Sequence, residues 1–517
     1  MDPSLEEILR IARSLGFDLT YEEIPIYRDF VRAELRRLEA FLHDDTPEAA
    51  PPRYPGSRNP GSKPMPGSDP FNAWLWRCRI EGDSVGILQG KTVSFKDNIA
   101  VAGIPLTFGT SELSGLIPDF DATVVVRTLE SGGTIIGKNT MSGFTGAPGS
   151  GSPFGDSPRP LNPHNFNNLP GGSSSGSAIA VAVGEVDISF GDDQGGSVRL
   201  PASWCGVIGL KPTFGLISHF GASWDRDQTM DHVGPLARYT ADAAAALQAV
   251  AGYDYLDPRQ DRTIPTRINV LSTLEDGIEG LRLGVLEEGF VGAEADVSQA
   301  VDTAVDTLAE AGALVKRVSV PEHHLIEDAR SALETEASLA VFSTNIAGVH
   351  AKTWYPRDVI AAVNEFWLES SDRLRPQIKA RLLVAALTRR AFYGRVYAKA
   401  QNTRAQLVAC YDRAFAEVDL LVMPTCIRKP PEVTRRGTHL KNLEKELTQR
   451  ATAVTRNTSA FNYTGHPAVT IPCGRSSGLP IGLQLVGRHN EDPLLLRAAY
   501  AYEKSIEWDE LIKVGSN

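Results

Sequence analysis

Apolar residues recur at helical spacing from the start of the chain. Leu5, Ile8, Leu9, Ala12 and Leu15 share one face, and Ser4 with Glu7 three residues on supplies a capping pair, so a helix is expected over 4–15. A second stripe, Tyr27, Phe30, Val31, Leu35, Leu38 and Leu42, predicts a helix from about Pro25 to Leu42. Two helices cannot bury both stripes alone, so the pair is expected to dock on the main body or on a second subunit. From Asp45 to Pro70 proline, glycine and serine dominate and the period vanishes. Residues 1–70 therefore read as a helical module followed by an extended linker.

Beyond residue 70, short apolar runs alternate with helical ones. Thr92–Ser94, Thr134–Gly137 and Asp187–Phe190 read as strands, and Ala122–Ser131 and Ala178–Val183 as helices. This alternation predicts an α/β fold, a largely buried sheet covered by helices. Residues 262–400 change character. Leu281–Val285, Val297–Ala311 and Leu314–Val320 make a βαβ pattern, and long helical patterns follow at Ala329–Ala347 and Leu374–Phe415. A smaller α/β lobe inserted in a large domain is expected there. Residues 71–261 are the first part of that large domain, and 401–517, with strands at Leu420–Met423 and Ala468–Ile471, complete its sheet.

Composition narrows the function. The 517 residues, 42% hydrophobic and 22% charged, exceed what one simple core usually supports. A net charge of −11 and the lack of a long Lys/Arg-rich stretch argue against a nucleic-acid partner; Arg435–Arg436 reads as a solvated loop. No apolar run approaches the roughly 18–20 residues that span a bilayer, and the N-terminus is acidic and amphipathic, so a cytoplasmic protein without a membrane partner is expected. Cys78, Cys205, Cys410, Cys426 and Cys473 are scattered, with no CxxC pair. They fit a reducing compartment and neither a disulfide framework nor a zinc site.

Three segments carry candidate chemistry. Gly90–Asn98 is a strand ending on Lys96, Pro170–Ser177 (PGGSSSGS) runs into an apolar helix, and Gly191–Ser203 contains Gln194-Gly195-Gly196-Ser197. Two glycines in that last turn permit positive φ, and successive N–H groups can converge into an anion-binding nest that also stabilises an oxyanion. The bland alternative is a tight loop or a phosphate site. A Gly/Ser tract is usually a flexible linker. Here AIAVAVG follows at once, apolar enough to be a buried helix, which suits a turn that brings hydroxyls and backbone donors into a site. A lone lysine is usually on the surface. One at the end of an apolar strand can be drawn inward, and a lysine base must be neutral when it acts, its pKa lowered from about 10.4. A histidine triad has no support: GGSVR lacks the second glycine of a G-x-S-x-G elbow, and nothing around His219 or His232 marks a base. HExxH and the P-loop pattern are also absent from the sequence.

Together these segments resemble the amidase signature family. The resemblance rests on Gly171–Ser177, Asp193–Ala202 and Cys205–Gly215, with a serine separation of 197 − 173 = 24. Asp231–Arg238, Met423-Pro424-Thr425, Asn462–Ala468 and Pro480–Gly487 look like the family's flanking elements. Within the family, DQGGS, the N-terminal helices and Gly252–Arg259 resemble the broad-specificity enantioselective amidases linked to nitrile metabolism. Gln194, where DTGGS is the commoner wording, separates the chain from the glutamyl-tRNA amidotransferase subunits. In Gly137–Phe144 the family often has an acidic residue where this chain has Gly143.

The resemblance implies that Ser197 attacks an amide carbonyl. Ser173, after a cis peptide bond, relays the proton to Lys96, and the backbone of Gln194, Gly195, Gly196 and Ser197 holds the oxyanion. Asp193, Arg199 and Ser174 are expected to support the loop, and Met141, Phe144 and Met230, with the Phe220–Met230 loop and the inserted lobe, to line the substrate pocket. It further implies a small-molecule amide substrate, an acid and ammonia as products, no metal or cofactor, and a homodimer. A carbamate, hydrazide or aryl-acylamide hydrolase shares this chemistry. A glutamine-dependent amidotransferase component, one protein of a larger complex, is the alternative of another class, against which the N-terminal helices and linker argue.

Overall fold

The computed structural model describes residues 2–145, 158–223, 227–343, 352–433, 437–448 and 452–515. The chain divides into two compact units, Met1–Ala50 and Pro51–Asn517. In the first, α1 spans Leu5–Ser14 and α2 spans Glu23–Leu42. Ser4 Oγ accepts the Glu7 N–H at 3.1 Å, the cap that the sequence led us to expect. α2 starts at Glu23 because Thr20 and Glu23 cap each other: Thr20 N–H donates to the Glu23 carboxylate at 2.8 Å, and Glu23 N–H to Thr20 Oγ1 at 3.3 Å. Pro25 then falls in the first turn, where its missing N–H costs nothing. Ile8, Ala12 and Ile24 are buried, whereas Phe30, Leu38 and Leu42 are exposed.

In the second unit a sheet of 12 strands runs in the order β1-β2-β4-β3-β5-β7-β6-β11-β12-β10-β8-β9. The strands are β1 (Arg58–Ser62), β2 (Trp74–Ile80), β3 (Thr92–Lys96), β4 (Thr134–Asn139), β5 (Ile188–Asp193) and β6 (Ile208–Lys211). They continue with β7 (His232–Ala237), β8 (Arg282–Leu286), β9 (Leu314–Val318), β10 (Leu420–Pro424), β11 (Ala468–Ser476) and β12 (Leu479–Gly487). The helices are α3 (Thr123–Glu130), α4 (Ser175–Ala182), α5 (Arg199–Cys205), α6 (Thr240–Val250), α7 (Ala295–Glu310), α8 (Ile326–Ser343) and α9 (Arg357–Ser370). After them come α10 (Pro376–Phe392), α11 (Arg395–Glu417), α12 (His439–Thr448), α13 (Thr452–Thr464), α14 (Asp492–Lys504) and α15 (Trp508–Ile512). The main core joins sheet residues such as Val93, Ile188 and Val422 to Leu247 of α6, Val301 of α7 and Leu495 of α14.

β3 and β5 read as apolar runs because helices cover both faces of a parallel stretch. β3 pairs in parallel with both β4 and β5, with Val93 opposite Ile188 and Phe95 opposite Phe190. The C-terminal ends of β3 and β5 therefore lie side by side, which is where open α/β sheets present their sites.

Three expectations meet a different outcome. Part of the supposed linker, Arg58–Ser62, is a strand pairing with β2, and Arg58 forms a buried ion pair with Asp121. An edge strand held by backbone bonds and one ion pair needs no apolar period. The βαβ pattern in 262–400 adds its strands to the same sheet, with β8 parallel to β10 and β9 parallel to β8. The pattern over Leu374–Phe415 is two helices, broken at Tyr393 and Gly394, whose φ angles are +54° and +77°. Residues 344–347 of the expected Ala329–Ala347 helix lie outside the described residues, as do Arg435–Arg436. Among the described residues no helix is long and apolar enough to cross a membrane.

Candidate active site

β3 delivers Lys96 into a fully enclosed position at the end of its buried run. There Lys96 Nζ lies 2.5 Å from Ser173 Oγ and pairs with the Asp192 carboxylate, both the lysine and the aspartate side chain being almost wholly shut off from solvent. Asp192 Oδ1 also accepts from Asn98 Nδ2 at 3.1 Å, and its Oδ2 from Ser223 Oγ at 3.2 Å. The sequence reading did not single out Asp192, Asn98 or Ser223. Burial by itself does not distinguish Lys96, because Lys138 and Lys211 are equally buried. Lys138 Nζ pairs with Asp97 at 3.5 Å, Lys211 Nζ donates to the Pro212 carbonyl at 2.9 Å, and burial lowers the pKa of both. Of these three buried lysines, Lys96 is the one that bonds a serine hydroxyl among the described residues.

The Gly/Ser tract is a packed turn. Gly171 has φ +83°, and a Cβ there would stand 2.7 Å from Pro201 Cα, so α5 presses directly on the turn. The Gly172–Ser173 peptide bond is cis, as the family resemblance implies. Ser175 Oγ donates to the Gly171 carbonyl at 2.7 Å, and Ser142 N–H to the Ser173 carbonyl at 3.3 Å. Ser174 N–H donates to the Ser197 carbonyl at 3.2 Å, which sets the two serine loops against each other, and Ser174 Oγ donates to the Asp192 carbonyl at 3.4 Å.

Ser197 is partly exposed on a loop whose shape Asp193 imposes. Asp193 Oδ1 accepts from Gly196 N at 2.7 Å, Arg199 Nη2 at 2.9 Å and Asn462 Nδ2 at 2.9 Å. Its Oδ2 accepts from Val198 N at 3.2 Å, Arg199 N at 3.3 Å and Arg199 Nε at 3.0 Å. Arg199 reaches on to Gln484 Oε1 at 2.9 Å and Asn462 Oδ1 at 2.7 Å. Burial pushes the Asp193 carboxyl up, but the Arg199 charge and the bonds from Arg199 and Asn462 outweigh it and hold the pKa at about 2. Asp193 and Arg199 thus form the ion pair expected to fix the loop. Asn462 and Gln484, which complete it, sit inside the two C-terminal segments noted in the sequence, where nothing local marks their partner.

Gly196 has φ +124°, and a Cβ would lie 2.3 Å from Thr458 Oγ1, so this position excludes side chains. Its N–H is committed to Asp193, which withdraws Gly196 from the four expected oxyanion donors. The N–H groups of Gln194, Gly195 and Ser197 have no intramolecular acceptor among the described residues. Arg330 of α8, ion-paired to Glu334 at 2.7 Å, brings Nη1 within 3.2 Å of where a Gly195 Cβ would be. The sequence carried no signal for it.

The residues expected to line the pocket fall in different parts of the core. Phe144 stacks on Phe108 and Phe366 at centroid distances of 5.8 and 5.1 Å, in an aromatic cluster with α9. Met230 is fully buried in another cluster, with Leu286, Tyr411 and Met423. Met141 is buried and belongs to neither cluster. Residues 224–226 of the Phe220–Met230 loop lie outside the described residues. His219 Nε2 bonds the Asp231 carboxylate at 2.8 Å and His232 Nδ1 bonds the Met230 carbonyl at 2.7 Å, while no hydroxyl bonds either ring among the described residues.

Fold and site define the class, an α/β protein in which a buried lysine–serine pair backs a second serine on a glycine-rich loop. A family model described as Amidase matches residues 75–496. The chain belongs to this family, the amidase signature enzymes. It is 35% identical over 437 residues to a glutamyl-tRNA(Gln) amidotransferase subunit from Methanococcoides burtonii, covering 83% of this chain and 87% of that one. The crystal structure of a glutamyl-tRNA(Gln) amidotransferase subunit from Thermotoga maritima superposes with a TM-score of 0.68 at 27% identity, covering 87% of this chain and 92% of the other. A peptide amidase from Stenotrophomonas maltophilia superposes with a TM-score of 0.65 at 30% identity, covering 81% and 83%.

Proposed function

We propose that the chain hydrolyses carboxylic acid amides to acid and ammonia through an acyl-enzyme on Ser197, as an acylamide amidohydrolase. The observation that carries this reading is the Lys96 Nζ–Ser173 Oγ bond at 2.5 Å, directly behind the loop that presents Ser197. Ser197 Oγ bonds to the carbonyl carbon and passes its proton to Ser173, which passes its own to Lys96 Nζ. The ammonium so formed faces Asp192, a carboxylate placed to stabilise it as the triad aspartate stabilises an imidazolium. The N–H groups of Gln194, Gly195 and Ser197 receive the oxyanion, each such donor being worth about 2.7–4 kcal/mol. The C–N bond then breaks, the nitrogen takes the proton back along the relay, and water releases the acid by the same route. Ser197→Ala is expected to abolish ammonia release from simple aliphatic and aromatic amides while the protein stays folded; retained release would end this reading.

A small-molecule amide, as for the broad-specificity amidases that the sequence resembles, is the proposed substrate. The exposed apolar positions of α2 support a homodimer, to be measured by light scattering. The relatives named as amidotransferase subunits favour a second reading, a glutaminase working within a complex. Glutamine hydrolysis that depends on co-purifying proteins would establish it over the first.

A further inference from the structure

Away from the serine loops, three side chains from distant parts of the chain converge. They are Asp412 on α11, His466 in the turn between α13 and β11, and His489 between β12 and α14. One donor atom from each lies within 4.8 Å of the other two. His466 is fully buried, His489 half-buried, and the Asp412 side chain 58% exposed.

Hydrogen bonds on the far side of the rings set their protons. Thr464 Oγ1 donates to the Ala460 carbonyl at 3.0 Å, so it accepts from His466 Nδ1 at 2.9 Å. His466 therefore carries its proton on Nδ1 and a lone pair on Nε2. The Thr464 carbonyl, an acceptor only, takes the His489 Nε2–H at 2.9 Å, which leaves a lone pair on His489 Nδ1. His466 Nε2 is buried without a hydrogen-bond partner and faces Asp412 Oδ1 at 3.6 Å, beyond hydrogen-bond range. A buried lone pair and a carboxylate facing each other call for a cation between them.

We propose that Asp412, His466 and His489 bind a divalent transition-metal ion of the zinc class. Imidazole nitrogen with one carboxylate suits Zn²⁺ and Co²⁺, and ring N–H groups donated to a threonine hydroxyl and a backbone carbonyl are the outer partners that metal-bound histidines keep. Ligand atoms around tetrahedral zinc stand roughly 3.3–3.5 Å apart, and the His466–Asp412 pair is already at 3.6 Å. The exposed face of Asp412 gives the ion a route from solvent and room for water as a fourth ligand. Such an ion ties α11 to the turns before β11 and after β12. His466 follows closely on Asn462, whose side chain holds Asp193, so the ion braces the nucleophile loop from behind and takes no part in the serine chemistry.

The test uses the full-length protein, free of any histidine tag and stripped with a chelator. Zn²⁺ is titrated against a chromophoric chelator, and Co²⁺ is followed by its visible spectrum. One ion per chain with a tetrahedral Co²⁺ band is expected. Asp412→Asn and His489→Gln should each weaken Zn²⁺ binding by at least the 10–100-fold typical of losing an outer partner, roughly. Zinc should raise the unfolding temperature of the parent protein and of neither variant. Asp412 is at the surface, so its variant is expected to fold even if a histidine variant does not. Equal affinity in the parent and Asp412→Asn, or no stoichiometric binding at millimolar zinc, would overturn the proposal.

Discussion

Replacing Asp193 by asparagine keeps the side chain's size and removes the charge around which the nucleophile loop is folded. Donors from Gly196, Val198, Arg199 and Asn462 converge on its two oxygens, and both Asp193 and Arg199 are fully buried. Burial raises the Asp193 pKa, yet its partners hold it at about 2 against an ordinary 3.8. At about 1.36 kcal/mol per unit, the difference 3.8 − 2 corresponds to on the order of 2 kcal/mol of preference for the ionised form in the folded state. D193N also strands the Arg199 charge, and breaking one side of a buried pair costs about 3–5 kcal/mol. The folded-state pKa lies below the unfolded one, so this stability is complete above about pH 4 and is lost as pH falls through about 2. Asp257, also held at about 2 by Arg259 against burial, titrates in the same window but cancels between parent and variant. Urea unfolding of both proteins from pH 7 down to pH 3 is the assay. The gap should be about 3–5 kcal/mol at pH 7 and narrow towards pH 3. A gap below about 1 kcal/mol at pH 7, or one independent of pH, would refute the reasoning.

Three further perturbations test the site. Lys96→Ala should lower kcat by about 10²–10⁴-fold. Asp192→Asn should lower it on the order of 10²-fold or more with KM little changed, since Asp192 touches the lysine and not the substrate. Steady-state ammonia release with thermal unfolding as a control checks both, and an unaltered Asp192→Asn enzyme would remove that residue from the relay. Gly196→Ala forces a Cβ against Thr458 Oγ1 at 2.3 Å in a positive-φ position. It should cost at least about 1–3 kcal/mol and most of the activity, and wild-type kinetics would show that the loop tolerates another shape.

Residues inside the short motifs were legible in the sequence, and the family resemblance joined Lys96 to the two serines; partners that no motif names were not. Ser173, Ser197 and the glycines around them sit in short motifs whose backbone requirements show in the residue types themselves. Asp192 stands next to Asp193 in the same motif but gained no role, because nothing in the motif marks its contact with Lys96, 96 residues away. The same holds for Asn462, Gln484 and Arg330. Strand and helix positions in the core followed the hydrophobic period closely. The period failed where something else holds the chain: an ion pair at Arg58, and two left-handed residues at Tyr393 and Gly394 that break a stripe continuing on both sides. Phe144 and Met230 lie in separate buried clusters, a division set by tertiary packing that their apolar character alone does not show.

The central claim is that Ser197 carries the acyl group. Rapid acid quench during turnover of an activated amide or ester, followed by peptide mapping by mass spectrometry, tests it most directly. The account predicts an acyl adduct on the peptide containing Ser197, absent from Ser197→Ala, with Ser173 unmodified. An adduct on Ser173 or any other residue, or undiminished ammonia release by Ser197→Ala, would contradict it.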